Sequence, residues 1–148
     1  MAGPAAPTPP QDPAPAPVDV RLTPVRAVMS STVVAVRSGC HLSVAVDTFV
    51  RTGLRHLVVV DATGRSAGIL SQESVTTAWL APAKRRVSRV HELVSHPDTS
   101  VHADTTVQEV AGLMRDCRLD AVPVVGHDGR LIGVVTRTDL VRLLAGRP

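Results

Sequence analysis

The sequence matches itself. Slid by 65 positions without a gap, it pairs nine identical residues from Val25 onward: Val25 with Val90, Ser30 with Ser95, Val36 with Val101, Leu54 with Leu119, Val59 with Val124, Val60 with Val125, Gly64 with Gly129, Arg65 with Arg130 and Gly68 with Gly133. Other pairs keep their character, among them Leu42 with Val107, Phe49 with Met114 and Ile69 with Val134. Self-similarity at a fixed offset marks a repeated structural unit, here Val25 to Leu80 and Val90 to Ala145. A unit of about 56 residues buries too small a share of its surface to be comfortably stable alone. The two copies are therefore expected to pack on each other, with function at their seam.

Each unit follows one pattern. A short β-rich stretch (Thr32 to Val36; Thr99 to Ala103) precedes a helical segment, clearest in the 3.6-residue period of Val107, Val110, Ala111 and Met114. The apolar runs Leu57 to Val60 and Val122 to Val125 suit strands covered on both faces. Ala62-Thr63-Gly64 and His127-Asp128-Gly129 read as hairpin turns, and closing helices begin at Ser71 and near Thr136. The expected class is α/β in its α+β form, with two β-α-β-β-α repeats packed pseudo-symmetrically. The organisation reads as a Pro/Ala-rich disordered tail over 1–22, a first repeat over 23–81, a basic linker over 82–89 and a second repeat over 90–148.

Composition excludes several classes. No run approaches the roughly 18 apolar residues of a membrane span, and the first seventeen residues, with seven Pro and five Ala, lack the plan of a secretory signal, which predicts a cytoplasmic protein. Cys40 and Cys117 lie far apart with no CxxC, so buried thiols are expected rather than a disulfide or zinc framework. Net charge is +3, but Lys84, Arg85, Arg86 and Arg89 form one cluster, and removing those four charges from +3 leaves −1. With Phe49 and Trp79 the only aromatic rings, the chain does not read as a nucleic-acid binder; the cluster reads as a solvated linker and Trp79 as packing at an intermodule seam. None of the six His forms a metal-binding pair on one helix face, and neither a Gly-rich phosphate loop after a strand nor GxSxG occurs. No catalytic residue, catalytic cofactor or metal is expected.

Leu119-Asp120-Ala121-Val122-Pro123-Val124-Val125, followed by Asp128-Gly129-Arg130-Leu131-Ile132-Gly133-Val134-Val135-Thr136-Arg137-Thr138-Asp139, resembles the most recognisable stretch of cystathionine β-synthase (CBS) domains. Two such units in tandem, over residues 24–146, resemble the pair called a Bateman module. The resemblance implies a regulatory, non-catalytic module, commonly a homodimer. It would sense AMP, ADP, ATP or S-adenosylmethionine, and so energy state, and signal to a separate effector protein.

It also implies roles. In the Gly-x-x-Thr-x-x-Asp motif, Asp139 would bind the ribose hydroxyls, Thr136 would contact ribose or phosphate, and Thr138 would sit in the same helical turn. A carboxylate suits that task because it can accept from two adjacent hydroxyls at once. Thr136 and Asp139 are equally read as a helix cap pair with no ligand. The base pocket would be lined by Val34, Leu54, Arg55 and His56 from the first repeat and Val134 from the second. Arg55 and His56, at places often small or neutral in relatives, would either pair with phosphate or crowd the pocket. The first repeat departs from the motif, with Ser71 at the Thr position and Ser74 where the carboxylate should be. Its cleft, bounded by Thr99, Leu119, Asp120 and Ala121 and made acidic by Asp120 and Glu73, is expected to be degenerate, leaving one competent site per chain. The alternatives are a ligand-free scaffold and, third, nucleic-acid binding through the basic linker.

Overall fold

The computed structural model describes residues 3–7, 19–83 and 89–146. In the first repeat β1 (Ala35–Arg37), α1 (Leu42–Thr52), β2 (His56–Val60), β3 (Ser66–Ser71) and α2 (Gln72–Trp79) follow in order. In the second come β4 (Val101–His102), α3 (Val107–Cys117), β5 (Ala121–Val125), β6 (Leu131–Thr136) and α4 (Arg137–Leu144). The architecture is mixed α+β, with two three-stranded sheets ordered β1-β2-β3 and β4-β5-β6. In each sheet the first pair is parallel and the hairpin antiparallel. Both hairpins carry a register shift at the same repeat position, next to Ala67 and Ile132.

The central strands are buried along their middle, as their unbroken apolar sequence requires, and α1 and α3 lay Ala45 and Phe49 or Val110 and Met114 against them. The first strands are shorter than the expected Thr32–Val36 and Thr99–Ala103. Val58 donates its N–H to the Val34 carbonyl at 3.3 Å, whereas its counterpart Pro123 has no N–H to give, and β4 is the shorter of the two.

The repeats do not complete their own cores. Val25, with Val28 and Met29 beside it, is buried among Val107, Val110, Val122 and Val135 of the second repeat. Val90, with Leu93 and Val94, is buried among Leu42, Phe49, Leu57 and Leu70 of the first. Backbone bonds hold the exchange: Val25 N–H donates to the Thr105 carbonyl at 2.7 Å and Val90 N–H to the Cys40 carbonyl at 3.0 Å. Each lead-in then runs along the other repeat's outer strand, Ser30 bridging to Val134 and Ser95 to Ile69. The two copies were expected to pack on each other; the structure goes further and exchanges the first segment of each, a buried Val fitting either of two nearly equivalent cores.

The close crossing explains one of the nine identities, that of Gly68 with Gly133. A Cβ on Gly133 would lie 2.6 Å from Met29 Sδ and 2.9 Å from the Ser30 carbonyl oxygen. On Gly68 it would lie 2.4 Å from Val94 Cγ1 and 3.2 Å from Pro97 Cα.

Three other expectations are revised. The end of the 1–22 tail is ordered, with Val20–Leu22 in a 3-10 turn capped by Asp19 and the Thr23 carbonyl accepting from Val107 N–H at 2.8 Å. Residues 8–18 and Lys84, Arg85 and Arg86 of the linker lie outside the described residues. Arg89 is not a free linker cation, since its guanidinium donates to the Gly39 carbonyl at 3.1 Å. Cys40 and Cys117 are half-buried rather than buried, and Trp79 is 46% exposed on a groove between α1 and α2.

Gly133→Ala is expected to cost about 1–3 kcal/mol through this overpacking. Gly112→Ala, inside α3 with nothing within 4 Å of the new methyl, is expected to gain about 0.5–1 kcal/mol from helix propensity. Urea denaturation of both variants checks the contrast.

Candidate functional site

At the end of β6 the chain passes from extended Thr136 directly into α4. Thr136 Oγ1 accepts from Asp139 N–H at 3.3 Å, and Asp139 Oδ2 accepts from the Thr136 N–H at 2.7 Å and hydroxyl at 2.8 Å. This capping box satisfies backbone donors that a helix start leaves unpaired. It is the cap arrangement foreseen for this pair, and it engages one carboxylate oxygen; Oδ1 has no protein partner among the described residues.

A cleft of about 560 Å³ opens in front of this turn, a size typical of small-molecule sites. Its second-repeat wall is Val134, Thr136, Thr138 and Asp139; its first-repeat wall is Val34, Leu54, Arg55 and His56. All eight residues singled out from sequence are thus brought to one cavity. The lead-in residues Ser30 and Thr32 close one side, because Ser30 is pinned to Val134 by two backbone bonds of 2.9 Å. The Arg55 backbone is fixed by its carbonyl accepting from Gln72 N–H at 2.9 Å, while its exposed guanidinium has no carboxylate partner among the described residues.

Sequence reasoning missed Arg137, the first residue of α4, which lines the cleft and pairs with Asp120 at 3.0 Å. Its position between Thr136 and Thr138 was the available signal; the Asp120 partnership, spanning the hairpin, left none.

A second cavity, of about 390 Å³, lies against α2 and takes in Ser71, Ser74, Glu73, Leu119, Asp120 and Ala121. Thr99 does not line it: the backbone turns away there, Thr99 N–H bonding back to the His96 carbonyl at 3.0 Å. Ser71 and Ser74 hydroxyls lie 2.7 Å apart, Ser71 accepting from Ser74 N–H as the cap of α2, so the serines occupy each other. Asp120 borders both cavities and pairs with Arg137, so the acidity expected of Asp120 and Glu73 together is partly offset. His56 borders both as well. Its pKa is lowered, first by burial, with Arg55 adding to the effect and Asp120 opposing it.

A family model for the CBS domain matches residues 25–81 and 90–146. The chain belongs to the CBS-domain family. This CBS pair is 28% identical over 131 residues to L-aspartate semialdehyde sulfurtransferase of Methanocaldococcus jannaschii, covering 88% of this chain but 25% of that protein. It is 29% identical over 130 residues to a CBS domain-containing protein of Dictyostelium discoideum, covering 81% of this chain and 90% of the relative. Among solved structures it resembles the CBS domain pair of protein MJ0100 in complex with 5′-methylthioadenosine and S-adenosyl-L-methionine, at TM-score 0.74 and 26% identity, over 84% of this chain and 98% of that one. Among the described residues no helix is long and apolar enough to cross a membrane, and no three His, Cys, Asp or Glu are grouped to hold a metal ion.

Because burial keeps the folded pKa of His56 below that of the unfolded chain, the unfolded state binds the extra proton, and stability falls as pH drops through about 6.5 until the folded group also titrates. His56→Gln is expected to flatten that part of the profile between about pH 8 and pH 5, as read by Tm against pH.

Proposed function

We propose that this CBS pair is a regulatory sensor that binds one adenosine-containing ligand per chain, AMP, ADP, ATP or S-adenosylmethionine, in the cleft between Asp139 and Arg55. The observation that carries this reading is the convergence of a carboxylate with one uncommitted oxygen, a helix start and an unpaired guanidinium on one cavity built from both repeats. Asp139 Oδ1 would accept the ribose hydroxyls while Oδ2 keeps the cap, the start of α4 and Arg55 would take phosphate, and Val34, Leu54 and Val134 would enclose the base. The ligands of the MJ0100 pair support the same class. The self-satisfied Ser71 and Ser74 hydroxyls support a degenerate second cleft. Ligand bound across the cleft would draw the repeats together and shift the population of the surface that an effector protein reads.

The completed Thr136–Asp139 box favours one other reading, a ligand-free interaction module in which the motif is only a cap. A thermal-shift panel separates them. A ligand at about a hundredfold above its Kd stabilises by about 2.7 kcal/mol, a few degrees in Tm. Asp139→Asn, which keeps a cap acceptor, is expected to leave the unliganded Tm nearly unchanged while weakening binding by about 10–100-fold. A flat panel with folded protein assigns the motif to the cap alone.

A homodimer belongs to the same proposal. The α1–α2 groove is lined by Val46, Phe49 and Val75, and beside it Val50 is 79% and Leu80 76% exposed, apolar surface suited to a protein contact. Leu80→Asp is expected to shift the sedimentation profile to monomer, and Trp79 emission to move to the red on dissociation.

A further inference from the structure

The two cavities share a wall: His56, Ile69 and Asp120 line both. Arg137 lines only the first, and its guanidinium sits on Asp120 at 3.0 Å and donates to the Leu119 carbonyl at 3.3 Å, with the Arg137 and Asp120 side chains 59% and 55% exposed. Exposed ion pairs of this kind hold weakly, whereas a phosphate offers guanidinium a fork of charged acceptors. Arg137 also opens α4, where backbone N–H groups favour an anion, so a phosphate in the first cleft lies within its reach.

We propose that Arg137 moves between Asp120 and the phosphate of a ligand in the first cleft, and that its departure leaves the Asp120 carboxylate uncompensated on the wall of the second cleft. This rests on the nucleotide reading above and adds the regulation of the same site. The second cleft already holds Glu73, against Arg118 and two imidazoles, His56 and His96. Losing the cation on Asp120 shifts its charge by one unit towards negative and bars a second phosphate. One nucleoside phosphate per chain then follows from coupling, and not only from the missing carboxylate at Ser74. A ligand without phosphate leaves Arg137 on Asp120 and the second cleft unchanged.

Cys117, which lines the second cleft, is the reporter, and with Cys40→Ala it is the chain's remaining thiol. Its reaction rate is measured with an anionic aromatic disulfide and with neutral iodoacetamide, in the presence of AMP or adenosine, with ligand binding followed in parallel by Tm. The expected result is that AMP slows the anionic reagent severalfold relative to the neutral one, that adenosine does not, and that Asp120→Asn erases the difference. If AMP and adenosine bind but change the two rates alike or not at all, the coupling is overturned while the nucleotide reading stands. Equal slowing of both reagents by AMP places ligand over Cys117 and also overturns it. If none of AMP, ADP, ATP, S-adenosylmethionine and adenosine raises Tm, the nucleotide reading itself fails and the coupling with it.

Discussion

The exchange of lead-in segments is the constraint on which the rest of the molecule depends. Val25 and Val90 are each fully buried in the core of the repeat they do not belong to by sequence. Fully burying such a side chain is worth about 1.5–3 kcal/mol, and each also brings a stretch of backbone onto a sheet edge that would otherwise be open. The crossing sets the distance between sheets, demands glycine at positions 68 and 133, and lays Ser30 to Val34 along the mouth of the first cleft. The cavity is therefore a by-product of how the repeats complete one another.

At the cleft, stability and recognition draw on the same atoms without competing for all of them. The Thr136–Asp139 box gives α4 its start, uses one carboxylate oxygen, and leaves the other facing a cavity with cations on its walls. The first repeat puts serines in the same two places; Ser71 caps α2 with a single bond instead of a reciprocal box, and two hydroxyls bonded to each other offer a ligand less than a carboxylate does. The pseudo-symmetry is thus intact in the scaffold and broken in the chemistry.

Much of this was legible in the sequence for identifiable reasons. Leu57 to Val60 and Val122 to Val125 read as central strands because continuous apolar runs have few other homes, and Gly64 and Gly129 marked turns because they adopt φ of +82° and +78°. Thr136, Thr138 and Asp139 came from a motif at a strand-to-helix turn, a local signal, whereas Val34, Leu54, Arg55 and His56 on the facing wall came only from the family resemblance. The exchange was not legible, because Val25 and Val90 are identical and a pattern that fits either core cannot say which it fills. The Arg137–Asp120 pair escaped because it joins residues across a hairpin, and the shortness of β4 because it follows from the donor that Pro123 lacks.

The crossed lead-ins also bear on how such a chain comes to be assembled. A single repeat carries a valine for a neighbour's core and an opening in its own, so by itself it is an incomplete object whose missing part is held by another copy. Linking two repeats in one chain turns that encounter into an intramolecular one, at effective concentrations of about millimolar for a short connection. Joining the halves then keeps each in reach of the segment that finishes it.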